Sequence, residues 1–155
     1  MKIKKATLKD LKKIYEIIEK SEIDEYKLEF SKKSYRSIAK ELEKKKRKNL
    51  TELKKELSDK NRIFLLAEID NDFVGVGEAY WYGKFGGLSR LHIKKDFRRL
   101  GIAKKLTEER IAYLEKKNVK EIETFIFDKN NPSLKLHKRH GFKKDYAIAR
   151  FVKKI

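Results

Sequence analysis

The chain has 155 residues, one proline and no cysteine, a length that suits one domain with a substantial core, and the lack of thiols excludes disulfides, thiolate zinc sites and a cysteine nucleophile. Lysine and arginine number 42 against 24 acidic residues, a formal net charge of +18, which favours anionic ligands or partners. No apolar run approaches the roughly 20 residues that span a bilayer, and the opening MKIKKATLKDLKKI lacks the apolar core of a secretion signal, so a cytoplasmic protein without membrane partners is expected.

In chain order, Ile3 to Ala6 suit a short first strand. Thr7 with Asp10 forms a capping box, and Leu8, Leu11, Ile14, Tyr15 and Ile18 then recur at helical spacing, so 8–20 reads as a helix with one buried face. Residues 21–32 read as a loop or broken turn. From Ser34 onward Tyr35, Ile38, Leu42, Leu50, Leu53 and Leu57 again have helical spacing, interrupted by the polar run EKKKRKN at 43–49. One bent helix or two helices fit equally well.

RIFLLAEI (62–69) and FVGVGEAYWY (73–82), joined at Asp70-Asn71-Asp72, predict two strands around a tight turn. Gly83, Gly86 and Gly87 mark a loop, and LSRLHI (88–93) predicts the next strand. A helix over 101–117 follows, with Ala103, Thr107, Ile111 and Leu114 along one side; EIETFIF (121–127) is strand again. Asn131-Pro132 opens a short helix with proline in its first turn, Gly141 ends it, and YAIARFV (146–152) alternates as a last strand. No repeat or linker divides the chain. A single α/β domain over 1–155 is expected, with a mixed sheet and helices on its faces.

The charge is uneven. Residues 31–60 hold 12 cations and 5 anions, 94–105 hold 6 and 1, and 135–155 hold 8 and 1. Such local surpluses attract anions, although for 31–60 a solvated lysine-rich face explains the run as well. The segment KKDFRRLGIAKK (94–105) is the most informative. A helix start has N–H groups without internal acceptors and a partial positive charge, and glycine at 101 lets an anion approach the backbone. Arg98, Arg99, Lys104 and Lys105 add attraction. No P-loop pattern is present, and Gly75-Val-Gly77 is followed by Tyr80 where a dinucleotide fingerprint needs its third glycine.

Arg98-Arg-Leu-Gly101-Ile-Ala103 resembles the [Q/R]xxGx[G/A] signature of the GNAT superfamily of acyl-CoA N-acyltransferases. EIETFIFDKNNPSLKLHKRHGF is similar to that family's next strand, Asn-containing turn, short helix and Gly-Phe end. The likeness covers about 62–152 well and the opening strand and helix; within 21–60 it is only helical. It implies a largely antiparallel mixed sheet flanked by helices, with splayed central strands, and an acetyl-CoA-binding core over 88–142. By the resemblance, Arg98, Arg99, Leu100, Gly101, Ile102, Ala103 and Lys104 hold the diphosphate of acetyl-CoA. The strand Leu91-His92-Ile93 holds the pantetheine arm and polarises the thioester carbonyl. Asn130 and Ser133 fall on the family's Asn and small-residue positions.

The implied reaction is direct attack by an amine on acetyl-CoA in a ternary complex, accelerated by holding the reactants in line and by an N–H facing the oxyanion. The family often has a tyrosine seven residues after the Asn that protonates the departing thiolate; here that position is His137. With an ordinary pKa near 6.5, about a quarter of such imidazoles are charged at pH 7, so His137 is either the general acid or a packing residue. His92, Glu78 and Asp128 are candidates for the general base. The pair His137 and His140 lacks the further ligands of a metal site, and no metal is expected.

The acceptor site falls in 21–60 by the resemblance. Glu22, Asp24, Glu25 and Glu29 are the local hint of an amine-attracting surface, and Tyr26, Phe30, Tyr80, Trp81, Tyr82 and Phe85 are candidate walls. A protein N-terminus, a lysine or a small amine remain open as acceptors, as do monomer and homodimer. The alternative reading is a basic nucleic-acid-binding module on an inactive cofactor fold, with nucleic-acid or ribonucleoprotein association through the basic surface.

Overall fold

The first strand, β1 (Lys2–Lys5), leads into a 3-10 turn at Leu8–Asp10 in the computed structural model, which describes residues 1–29 and 33–145. The Thr7 N–H and hydroxyl both donate to the Asp10 carboxylate at 2.9 Å, fixing the helix entry. Helix α1 then runs over Leu11–Glu29, so the expected loop from 21 is replaced by helix as far as Glu29. No glycine or proline interrupts this stretch, and Ser21 continues the buried face begun by Ile14, Tyr15, Ile17 and Ile18.

Helix α2 spans Tyr35–Ser58 as one element, with Ser34 Oγ accepting from the Ser37 N–H at 3.2 Å. Its buried residues are Ile38, Leu42 and Leu53. Lys45 and Asn49, between them on the same side, line a cavity against α1. The polar run that obscured the helix in the sequence therefore crosses a cavity rather than a core.

Strands β2 (Arg62–Ile69) and β3 (Asp72–Tyr82) meet at Asp70-Asn71, with φ of 49° and 64°, the left-handed pair that suits a two-residue hairpin. Strand β4 (Phe85–Ile93) begins earlier than expected, taking Gly86 and Gly87 out of the loop. A Cβ on Gly87 would lie 2.2 Å from Tyr80 Cζ, so glycine there makes room for the ring crossing it. Helix α3 (Ile102–Lys116) follows, then β5, which is only Glu121–Glu123, and α4 (Asn131–Arg139). The expected strand at 146–152 lies outside the described residues.

The strands lie in the order β1-β2-β3-β4-β5, antiparallel except for the parallel β4–β5 pair. Strand alternation sends Phe64, Leu66 and Val76 to one face, with Ile14, Ile17, Ile18 and Leu53 of α1 and α2. Ile63, Leu65, Val74, Ala79, Leu88 and Ile93 face the other, against Ile102, Leu106 and Leu114 of α3.

Two irregularities in β4 position the site. Opposite Gly77 the register slips, so that Glu78 pairs with Ser89 but Val76 with His92. Arg90 sits at this bulge with φ of 47°, which bends the strand. On its other edge β4 pairs with β5 through Phe85–Glu121, Gly86–Ile122 and Gly87–Glu123, and the described pairing stops there. From Leu88 to Ile93 that edge has no described strand partner.

Candidate active site

Strand β4 leads through a 3-10 turn at Lys95–Phe97 to the start of α3. Gly101 precedes the helix with φ of 78°, and the first helical bond runs from the Lys105 N–H to its carbonyl at 3.0 Å. The N–H groups of Ile102, Ala103 and Lys104 come before that bond and so have no intrahelical acceptor. Nothing lies within 4 Å of a Cβ built on Gly101, leaving its backbone open to an anion. This arrangement fits a diphosphate.

The neighbouring cations are committed differently from expectation. Arg98 Nε donates to the Ile93 carbonyl at 3.1 Å and its Nη2 lies 2.8 Å from Asp24 of α1, so this guanidinium ties α1 to the end of β4. Lys104 and Lys105 lie 3.8 and 3.0 Å from Glu108 and Glu109. Arg99 and Leu100 are exposed. Backbone N–H groups, more than side chains, are what this turn offers a ligand.

Asn130 and Ser133, expected near the cofactor, organise α4: Asn130 Oδ1 accepts from the Ser133 N–H at 3.3 Å. His137 is buried, stacks edge-on to Phe142, and its Nδ1–H donates to the Ser133 carbonyl at 2.9 Å. Burial lowers its pKa, with the Ser133 bond opposing. The neutral imidazole this favours then carries its proton on Nδ1 and offers none at Nε2. His140 Nδ1 likewise bonds the Leu136 carbonyl at 2.9 Å.

His92 pairs with Val76 and so faces α1 and α2, opposite to Leu91 and Ile93. Burial, followed by Arg90, Arg110 and Arg98, pushes its pKa down to about 3. Glu78 shares that face and is 1% exposed. Its carboxylate accepts from Arg62 Nη1, from Ser89 Oγ at 2.6 Å and from Arg90 Nε at 3.1 Å. Held from three donors, this carboxylate is a clamp across the bulge. Arg90 continues to Glu56 of α2, at 2.7 and 2.9 Å.

A cavity of about 250 Å³ lies between α1, α2 and the bulge, lined by Tyr15, Glu22, Tyr26, Asn49, Glu52 and Arg90 among others. Burial raises the Glu22 pKa, Arg90 opposes, and Glu19 adds to the rise. Tyr15 donates its hydroxyl to Glu19 at 3.2 Å. Glu22 was legible only as part of an acidic stretch; Asp24 of that stretch is taken by Arg98. Of the candidate aromatic walls, Tyr26 lines this cavity, whereas Trp81 packs on Tyr113 and Tyr82 and Phe85 are exposed. Asp128 is exposed, beyond β5 in the chain, and does not line this cavity.

Among the described residues no helix is long and apolar enough to cross a membrane. The fold is shared with solved structures. The PaiA N-acetyltransferase from Thermoplasma acidophilum, in complex with coenzyme A, superposes with a TM-score of 0.75 at 24% identity, covering 93% of this chain and 90% of that one. An apo aminoglycoside 6'-N-acetyltransferase from Acinetobacter haemolyticus gives 0.71 at 22%, covering 100% and 99%. A predicted acetyltransferase from Clostridium acetobutylicum with acetyl-CoA gives 0.72 at 17%, covering 97% and 95%. The model of the acetyltransferase (GNAT) family matches residues 13–142. The chain therefore belongs to the acetyltransferase (GNAT) family.

Proposed function

We propose that the chain acetylates a small cationic amine held between α1 and α2, with both substrates bound at once. The observation that carries this reading is the cavity beside the β4 bulge, where Glu22 and Glu52 stand with Tyr15 and Tyr26. Its volume of about 250 Å³ suits a small amine or one arm of a larger one, and Glu22 and Glu52, which share the lining with Lys45 and Arg90, offer an ammonium group its partners. The aminoglycoside acetyltransferase among the structural neighbours, which is named for a small-molecule amine, supports the same class.

Acetyl-CoA supplies an activated acyl carbonyl and a thiolate leaving group. The N–H groups of Ile102, Ala103 and Lys104, around Gly101, bind its diphosphate. The β4 edge at Leu91-His92-Ile93 binds the pantetheine arm and presents an N–H to the carbonyl. On the other side of β4, Glu22 takes the proton from the incoming ammonium, directly or through water. A raised pKa makes this carboxylate a stronger base near neutral pH. His137 packs beside the arm as a neutral imidazole, and the thiolate is protonated from solvent.

Thiol release from acetyl-CoA tests this against linear diamines, aminoglycosides, and peptides with free N-termini or lysines. Saturable turnover with the small polycations is expected. Turnover with peptides alone would contradict the acceptor assignment.

A further inference from the structure

Arg110 is a basic residue on α3 that the sequence pattern places among apolar neighbours, and it is 0% exposed. Its described hydrogen bonds reach a hydroxyl and three carbonyls. Nη1 donates to the Glu78 and Ser89 carbonyls, both at 3.0 Å; Nε donates to Leu106 O at 3.2 Å and Nη2 to Thr107 Oγ1 at 3.1 Å. One guanidinium nitrogen thus joins β3 to β4 where their register slips. Glycine at 77 makes this possible: a Cβ there would lie 2.9 Å from Arg110 Nε and 3.0 Å from its Cδ.

We infer that Arg110 is a positioning residue for acetyl transfer, which fixes the β4 bulge so that the strand edge presents its N–H groups correctly to the acyl carbonyl. The inference rests on the donor-binding reading above. A planar trans peptide holds the Arg90 N–H antiparallel to the Ser89 carbonyl. Pinning that carbonyl to Arg110 therefore turns the Arg90 N–H away from the guanidinium and sets the path of the chain into Leu91. A charged donor on the carbonyl also polarises the peptide and strengthens its N–H as a donor. From the opposite face Glu78 holds the side chains of Ser89 and Arg90, so the bulge is clamped on both sides.

The test uses the full chain with acetyl-CoA carrying a ¹³C carbonyl. Isotope-edited infrared spectra of the bound ligand report carbonyl polarisation without any acceptor, and calorimetry reports affinity separately. In the unaltered protein the carbonyl stretch should move to lower frequency than in free acetyl-CoA. Arg110→Met should lose most of that shift while affinity, set largely at Gly101, stays nearly unchanged, and Arg110→Lys should restore part of it. With an amine that turns over, kcat should fall about 10- to 100-fold in Arg110→Met with little change in the KM for acetyl-CoA.

Gly77→Ala covers the case in which Arg110→Met does not fold. It displaces the guanidinium and should reduce the shift, whereas the doubly substituted chain, if folded, should be no worse than Arg110→Met. A shift retained in folded Arg110→Met or in Gly77→Ala would overturn the inference. So would bound acetyl-CoA whose carbonyl is unshifted in the unaltered protein. No binding by that protein would instead overturn the donor-binding reading, and the inference with it.

Discussion

The two faces of the sheet treat buried charge in opposite ways at the same bulge. On the α1/α2 face a carboxylate, Glu78, is surrounded by Arg62, Arg90 and a hydroxyl, and Arg90 and Arg62 pass the network on to Glu56 and Asp59. On the α3 face a guanidinium, Arg110, meets carbonyls and a threonine hydroxyl, and burial lowers its pKa to about 10. The first arrangement cancels charge and connects β3, β4 and α2. The second leaves its charge local and spends it on backbone carbonyls. A charge cancelled by ions stabilises; a charge held by peptide groups orients them.

By that contrast Glu78 is principally structural. Glu78→Gln leaves two guanidinium groups without their shared carboxylate and should cost about 3 kcal/mol in denaturant unfolding. Binding of acetyl-CoA by the folded fraction should persist. A variant as stable as the parent would show that the network is not holding the strands.

The next effect separates Glu22 from Glu78 on the same face. Glu22→Gln should lower kcat/KM for the amine about 100-fold with small loss of stability. Because burial raises the Glu22 pKa, the carboxylate is protonated, and the base lost, as pH falls through that raised value. The parent's rate should therefore drop on the acid side, and the variant's acid limb should flatten. An acid limb unchanged in Glu22→Gln would assign the base elsewhere.

The smallest effect concerns His92. Its folded pKa of about 3 lies below the ordinary 6.5, so the unfolded chain binds more protons between those values. The stability contributed by the neutral imidazole is present above 6.5 and is lost as pH falls toward 3, at up to about 1.4 kcal/mol per pH unit. His92→Gln should remove that part of the slope in denaturation curves measured from pH 7 to 5. An identical slope would show that His92 is not buried neutral.

Local chemistry made much of the fold readable. The Thr7–Asp10 pair, the Asp70-Asn71 turn, Gly101 before α3 and Gly141 after α4 each act within a few residues, and each stands where its residue type requires. The long-range features were not readable. Helix α1 passes the expected break because Ser21 continues its buried face, and α2 is continuous because Lys45 and Asn49 face a cavity. Gly87 sits in a strand because Tyr80 crosses it. Only the tertiary structure shows Arg98 spent on Asp24, Glu78 saturated by arginines, and His137 bonded through Nδ1 to its own helix. For Arg110 the traces in the sequence were its place on the apolar side of α3 and a glycine, Gly77, in a strand on the other side of the contact.

The proposed binding of acetyl-CoA by backbone N–H groups at Gly101 underlies the functional reading, and calorimetry of acetyl-CoA with the parent and Gly101→Val tests it most directly. A β-branched residue is strained at φ of 78° and narrows the approach to the amides. The parent should bind, and the variant should bind at least about tenfold more weakly, a loss of about 1.4 kcal/mol. Equal affinity in the two proteins, or no heat with the parent, would contradict the account.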